Sequence, residues 1–352
     1  MAPGGSGDAP PSANRVRRRS WPGRLGAALA TVLVPVLLVA GLVGVGALDH
    51  PLGPATARTG PGLASGSRTA SGSRVAPTPS PVPLPPLADV PPYFQTGWLA
   101  THPTPALKLE DRAAILVDLG TGQTLYENDD ATPLPTASLA KLVTVAVALQ
   151  HATLQTSLTV PLAATQIEKD ATVMGLSPGE QLTVEELIDG ILLESANDAA
   201  LVLAQAIIPE PEFIYDMNAL VRSWGLPGAR FSNPTGLDAP GELASAYDLA
   251  VIAARVIGDQ PELLQISDQR EIQIPQTPTH KAYDLWTLIG PVRHGFPGAI
   301  GLKTGYTDDA GYCFALTDQR GGRTLLAIVL DSPTDEQDAE TLVDYGFSLP
   351  PD

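Results

Sequence analysis

Apolar positions in this chain fall into blocks whose spacing changes along its length. In AAILVDLGTGQTLYEN, from Ala113 to Asn128, apolar and β-branched residues flank Gly120-Thr121-Gly122, which predicts two short strands joined as a hairpin. In ASLAKLVTVAVALQHA the apolar residues cover nearly every face, predicting one helix from about Ser138 to His151 that is too hydrophobic all round to lie on a surface. Thr183-Val184-Glu185-Glu186 fits a capping box and starts a helix through about Leu193. Further helices are predicted from about Asp198 to Ile207 and from about Ser245 to Ile257. AIGLKTGYT, GYCFALTDQ and TLLAIVLD read as antiparallel strands, the last two turning at Gly321-Gly322, and a closing helix spans about Glu336 to Tyr345. Strands at both ends with helices between them imply an α+β domain rather than a βαβ array.

The N-terminal pattern differs. Arg15, Arg17, Arg18, Arg19 and Arg24 precede a charge-free apolar stretch long enough to cross a bilayer as a helix. The expected organisation is a basic cytoplasmic N-terminus (1–24), a membrane anchor (25–48) with its N-terminus inside, a Pro/Gly/Ser-rich linker (49–92), and one folded domain (93–352). A signal cleaved near Ala47 is the alternative, leaving a secreted protein. Both readings make the domain extracytoplasmic.

Charge adds an exclusion. The net charge is −17, and nearly all the acid lies in 93–352, so nucleic acid is not expected as a partner. The acid is read as a solubility feature. Cys313, the one cysteine, excludes an intramolecular disulfide, and its apolar neighbours make it a core thiol. His50, His102, His151, His280 and His294 show no metal-ligand spacing, so no metal or other cofactor is expected.

Two serines compete as nucleophile. Ser177 sits in GLSPG, the Gly-x-Ser-x-Gly spacing of a nucleophile elbow. The residue after it, however, is Pro178, which has no N–H for an oxyanion hole, and Ser177-Pro178-Gly179-Glu180 is a β-turn sequence. Ser138 has Lys141 three residues on, hence on the same helix face. A lysine inside an apolar helix loses hydration, its pKa falls, and its neutral amine can take the proton of a serine hydroxyl. The competing reading is a helix-capping Ser138 with Lys141 reaching out to water. Ser195-Ala196-Asn197 falls in a joint between two helices, where a hydroxyl and an amide can relay a proton and bind a peptide carbonyl, or simply cap the next helix. Lys303-Thr304-Gly305, on the penultimate strand region, offers an ammonium and a hydroxyl suited to a carboxylate, with Gly305 leaving room for a ligand backbone; a solvated edge-strand lysine is the plain alternative.

In this order, S-x-x-K, S-x-N and K-T-G resemble the motifs of the penicillin-recognising serine enzymes. PTASLAKLVT, MGLSPGEQLTVEELIDGILLESANDAALVLA, FSNPTGLD and PGAIGLKTGYTDDAGYCFAL narrow the resemblance to the low-molecular-weight D-alanyl-D-alanine carboxypeptidases, from about Ala113 to Leu330. The resemblance implies a β-lactamase/DD-peptidase-like fold, a five-stranded antiparallel sheet flanked by helices plus an all-helical lobe. It implies that Ser138 attacks the carbonyl between the terminal D-alanines of a peptidoglycan stem peptide, with Lys141 as base. Ser195 would relay a proton to the leaving amine, and Asn197 would hold the substrate amide. Lys303 and Thr304 would bind the terminal carboxylate, and the backbone N–H groups of Ser138 and Tyr306 would form the oxyanion hole. β-Lactams would be covalent inhibitors. A transpeptidase or β-lactamase of the same fold, or a non-catalytic wall-binding or β-lactam-sensing module, are the alternatives. A second cation for the carboxylate is unassigned among Arg293, Arg320 and Arg323, and ELASAYDLA and WTLIGPVRHGFPG depart from the family's usual wording.

Overall fold

The computed structural model describes residues 93–350 except 103, 105, 169 and 170. The expected basic N-terminus, anchor and linker therefore lie outside the described residues. Among the described residues, no helix is long and apolar enough to cross a membrane.

In chain order the elements are α1 (Gly97–Thr101), β1 (Ala113–Asp118), β2 (Gln123–Asn128), a 3-10 turn (Ala137–Ala140), α2 (Lys141–His151), β3 (Ser157–Thr159), a second 3-10 turn (Ala163–Thr165), β4 (Gln181–Thr183), α3 (Val184–Glu194) and α4 (Asn197–Ile207). Then come α5 (Glu210–Ser223), α6 (Ala246–Asp259), α7 (Glu262–Ser267), β5 (Glu271–Ile274), β6 (Tyr283–Trp286), α8 (Gly290–His294), β7 (Ala299–Thr307), β8 (Gly311–Arg320), β9 (Arg323–Leu330) and α9 (Asp335–Ser348).

The five long strands form one sheet in the order β2-β1-β9-β8-β7, antiparallel throughout. Side chains alternate across each strand, so the sheet has two apolar faces. Ile115, Val117, Cys313, Ala315 and Ile328 turn to the helical lobe, whereas Leu116, Phe314, Leu316 and Val329 pack with Leu342 and Val343 of α9. Cover on both faces explains why β1 is apolar from Ala113 to Val117 and buried along its whole length, through Asp118. The α+β fold and five-stranded antiparallel sheet match the expectation.

At the centre of the helical lobe α2 packs against α4, α5 and α6. Its apolar perimeter follows from that position, because every side meets another element. The predicted single helix from Ser138 is divided: its first turn is 3-10, and regular α geometry starts only at Lys141. Tight turns of this kind are common at helix N-termini. At α3 the predicted capping box is present, with Glu186 N donating to Thr183 Oγ1 at 3.2 Å and Thr183 N to Glu186 Oε2 at 2.7 Å. The K-T-G strand requires a correction: among the described strands β7 is third from last rather than penultimate, and it lies at the sheet edge.

Candidate active site

The 3-10 turn carrying Ser138 packs directly on β7. Two backbone features allow this. Ala137 adopts φ 46°, an uncommon value for a residue with a side chain, and it tightens the turn ahead of Ser138. Gly305 faces the turn, and a Cβ there would lie 2.9 Å from Ser138 N and 3.0 Å from Ala137 Cβ. The expectation that Gly305 leaves room for a ligand backbone is thus corrected: the turn that bears Ser138 fills that space. Gly236 does the same on the other side, since a Cβ there would fall 1.9 Å from the Ala137 carbonyl oxygen.

Lys141 is completely buried, and its Nζ donates to Ser138 Oγ at 2.7 Å and to the Thr235 carbonyl at 2.8 Å. Burial holds its pKa well below the usual lysine value, the nearby Lys303 pushes the same way, and Asp198 pulls back. The amine neither reaches water nor finds a carboxylate partner, so the picture of a capping serine beside a water-reaching lysine does not hold. Ser138 makes no side-chain cap either.

Ser195 ends α3 in the left-handed conformation, φ 57° and ψ 31°, which turns the chain sharply so that Asn197 can open α4. The N-cap position belongs to Ala196, and neither polar side chain caps the helix. Asn197 is tied by its N and Nδ2 to the Thr172 carbonyl at 2.9 and 3.1 Å, while its Oδ1 is buried without a partner. Thr172 Oγ1 also donates to the Ser195 carbonyl at 3.1 Å.

The neighbouring Asp198 was missed by sequence reasoning. Its carboxylate accepts from the backbone N–H groups of Met174 (3.0 Å), Gly175 (2.8 Å), Leu176 (2.9 Å) and Ala199 (3.0 Å), stitching segment 172–176 to the Ser195–Asn197 joint. The signal available was an acid at the start of a helix, which reads the same when it is only a favourable first-turn charge.

Lys303 is likewise buried, with Nζ donating to the Thr304 carbonyl at 2.8 Å, and burial lowers its pKa to about 7. It is not the solvated edge-strand lysine of the plain reading. Thr304 is half-buried, and Tyr306 is exposed and lies against Tyr312 with ring centroids 4.5 Å apart and the rings tilted by 40°. Lys141 is coupled electrostatically to Lys303 and bonded to Ser138, and Gly305 abuts the Ser138 amide. The S-x-x-K and K-T-G motifs therefore converge, and Asp198, one residue beyond S-x-N, is within electrostatic range of Lys141.

Other candidates fall away. Ser177 occupies a turn in which Glu180 N donates to the Ser177 carbonyl at 3.2 Å and Gly179 has φ 87°. Arg320 is bound to Asp318 and Asp344, and Arg323 to Asp118, at the β8–β9 turn. Lys303 pairs with Ala315, so Arg320 lies five strand residues away, roughly 17 Å at 3.4 Å per residue. Arg293 lies in the last turn of α8, which packs on β7, but no hydrogen bond or ion pair joins it to Lys303 among the described residues.

Over residues 100–334 the chain matches the family model Peptidase S11, D-alanyl-D-alanine carboxypeptidase. The chain belongs to that family. Among Peptidase S11 relatives, the D-alanyl-D-alanine carboxypeptidase DacF of Bacillus subtilis is 31% identical over 252 residues, covering 70% of this chain and 64% of DacF. The chain thus spans slightly under two thirds of that relative. Its fold matches a point mutant of the Streptomyces K15 DD-transpeptidase with TM-score 0.65 and 26% identity, over 69% of this chain and all of that one. It also matches penicillin-binding protein D2 of Listeria monocytogenes in its cefotaxime-bound form, with TM-score 0.61 and 28% identity, over 69% of this chain and all of that one.

Proposed function

We propose that this Peptidase S11 protein is a serine D-Ala-D-Ala carboxypeptidase that removes the terminal D-alanine from peptidoglycan stem peptides and is acylated by β-lactams. The observation that carries the reading is the fully buried Lys141 amine 2.7 Å from Ser138 Oγ. In that position a neutral amine can accept the hydroxyl proton as Oγ attacks the scissile carbonyl.

The remaining roles follow from the chemistry of the groups. Lys303, with Thr304, takes the terminal carboxylate, whose charge favours the protonated ammonium. The N–H groups of Ser138 and Tyr306 face the developing oxyanion. Ser195 relays the proton from Lys141 to the leaving D-alanine nitrogen, and Asn197 holds the substrate amide. A water molecule then attacks the acyl carbon, Ser138 leaves with its proton restored, and the shortened peptide departs. Supplying an amine in place of water would make the same acyl-enzyme a transpeptidase, the activity named for the Streptomyces relative. The domain works outside the cytoplasm, tethered through residues 25–48.

The test is release of D-alanine from a D-Ala-D-Ala-terminated pentapeptide by wild type and Ser138→Ala, with covalent penicillin labelling in parallel. Release and labelling that both vanish in the variant support the proposal. Labelling without release would leave a transpeptidase or a sensor, and a wild type that neither releases nor labels would end the catalytic reading.

A further inference from the structure

Segment 230–244 leaves the helical lobe and is closed by paired backbone hydrogen bonds between Arg230 and Leu243, at 2.7 and 2.9 Å. Beside that closure Glu242 is turned inward and is 3% exposed. Its Oε2 accepts from Ser232 N at 2.6 Å, Asn233 N at 3.3 Å and Asn233 Nδ2 at 3.5 Å. Asn233 Oδ1 in turn accepts from Thr235 N (3.0 Å), Thr235 Oγ1 (2.6 Å), Gly236 N (2.8 Å) and Leu237 N (3.2 Å). This scaffold delivers two carbonyls to α2: that of Thr235 to Lys141 Nζ at 2.8 Å and that of Pro234 to Thr144 Oγ1 at 2.7 Å. With Gly236 pressed against Ala137, loop 232–237 grips both the lysine and the turn that bears Ser138.

We propose that Glu242 is a positioning residue for the acylation step, its carboxylate holding loop 232–237 in the shape that aims the Thr235 carbonyl at Lys141. This rests on the reading of Ser138 and Lys141 as nucleophile and base. A neutral amine has two N–H bonds and one lone pair. Fixing one N–H on Thr235 restricts where the lone pair points, and the productive direction is Ser138 Oγ.

The surroundings of Glu242 make the hold depend on pH. It lines a cavity of about 170 Å³ shared with Asp238 and Asp309, both acids, and the Arg230 side chain runs past Gly241 beside it. No cation among the described residues makes an ion pair with it, and its Oε1 has no partner. Burial raises its pKa to about 7, against the pull of the Ser232 and Asn233 amides. Hydrogen bonds to an ionised acceptor are about twice as strong as neutral ones, so the hold tightens as pH rises through about 7. The fold keeps the proton more firmly than the unfolded chain does, so stability falls as pH climbs from the ordinary glutamate value of 4.5 to about 7 and stays lower above it. The charge serves positioning at the expense of stability.

The test is the rate of Ser138 acylation by a penicillin in the full chain, wild type against Glu242→Gln, at pH 5.5 and 8.5. Taking the ratio cancels the titrations of Lys141 and Lys303. The expected ratio is near one at pH 5.5 and about tenfold at pH 8.5, in the limiting rate rather than in the penicillin concentration needed, with Glu242→Gln melting above wild type at pH 8.5. A ratio equal at both pH values, or a slower variant that also melts lower at pH 8.5, overturns the proposal. Wild type that is acylated but releases no D-alanine overturns the carboxypeptidase reading and leaves this one standing; wild type that penicillin does not acylate overturns both.

Discussion

Replacing Gly305 by alanine tests how closely the Ser138 turn must sit against β7. The new methyl would lie 2.9 Å from Ser138 N, 3.0 Å from Ala137 Cβ and 3.1 Å from Leu139 Cδ1, where ordinary contact begins at 3.4 Å. Restoring ordinary contact requires the turn and the strand to part by about 0.5 Å, and the nearest atom is backbone, which cannot swing aside. On the proposed assignment of the Ser138 and Tyr306 amides, an oxyanion donor works within about 2.7–3.1 Å of its target, so that displacement removes the use of one of the two, a loss of about 10²–10³ in kcat. Overpacking costs about 1–3 kcal/mol, a drop of several degrees in Tm at about 2–4 °C per kcal/mol for a domain of this size. The assay is stopped-flow acylation by a fluorescent penicillin, with a melting curve for each protein. Gly258→Ala is the control, because nothing lies within 4 Å of its added methyl and alanine favours the helix. A folded Gly305→Ala acylating within threefold of wild type would refute the argument that this close approach sets the oxyanion geometry.

Three further outcomes are expected. Asp198→Ala leaves the loop amides of Met174, Gly175 and Leu176 without their acceptor, the first and last of them buried, costing about 2 kcal/mol or more, read as a Tm lower by roughly 4–8 °C; a loss under 1 kcal/mol would show the loop held by other means. Lys303 titrates at about 7 because of burial, and a carboxylate favours its ammonium, so the KM for pentapeptide rises above pH 7, towards about tenfold per pH unit. A KM constant from pH 6 to 9 would contradict that assignment. Burial pushes the Cys313 thiol up to about 12, so a thiol reagent at pH 8 labels it only after unfolding, and prompt labelling of the native protein would show the sheet opening.

The strands and the capping box were legible because their signals are local. Gly turns bracket apolar runs, and Thr183 and Glu186 stand at the spacing that reciprocal bonding needs. Helix α5 is absent from the predicted elements. Its Pro near N1, two acids in the first turn and buried Phe213, Met217, Leu220 and Val221 at helical spacing would have found it. The hairpins β3–β4 and β5–β6 have strands of three and four residues, too short for periodicity to register. At the site, Ser138, Lys141 and Lys303 stood out because a lysine in apolar surroundings is rare. Asp198 and Glu242 act on backbone amides brought near by folding, and such an acid looks in sequence like any surface acid.

The sheet order also governs when the molecule can assemble. β1 pairs with β2 immediately after it, but its other edge waits for β9, where Ala113 meets Leu330. A two-stranded hairpin alone is marginal in water, so β1 and β2 stay without a stable platform until the last strands have been synthesised. Pairings this distant also make for slow folding. A chain halted before β9 would hold Ser138, Lys141 and Lys303 yet have no frame on which to set them at bonding distance. Pairing of β9 with β1, rather than the making of any of these side chains, is therefore the step on which assembly of the site depends.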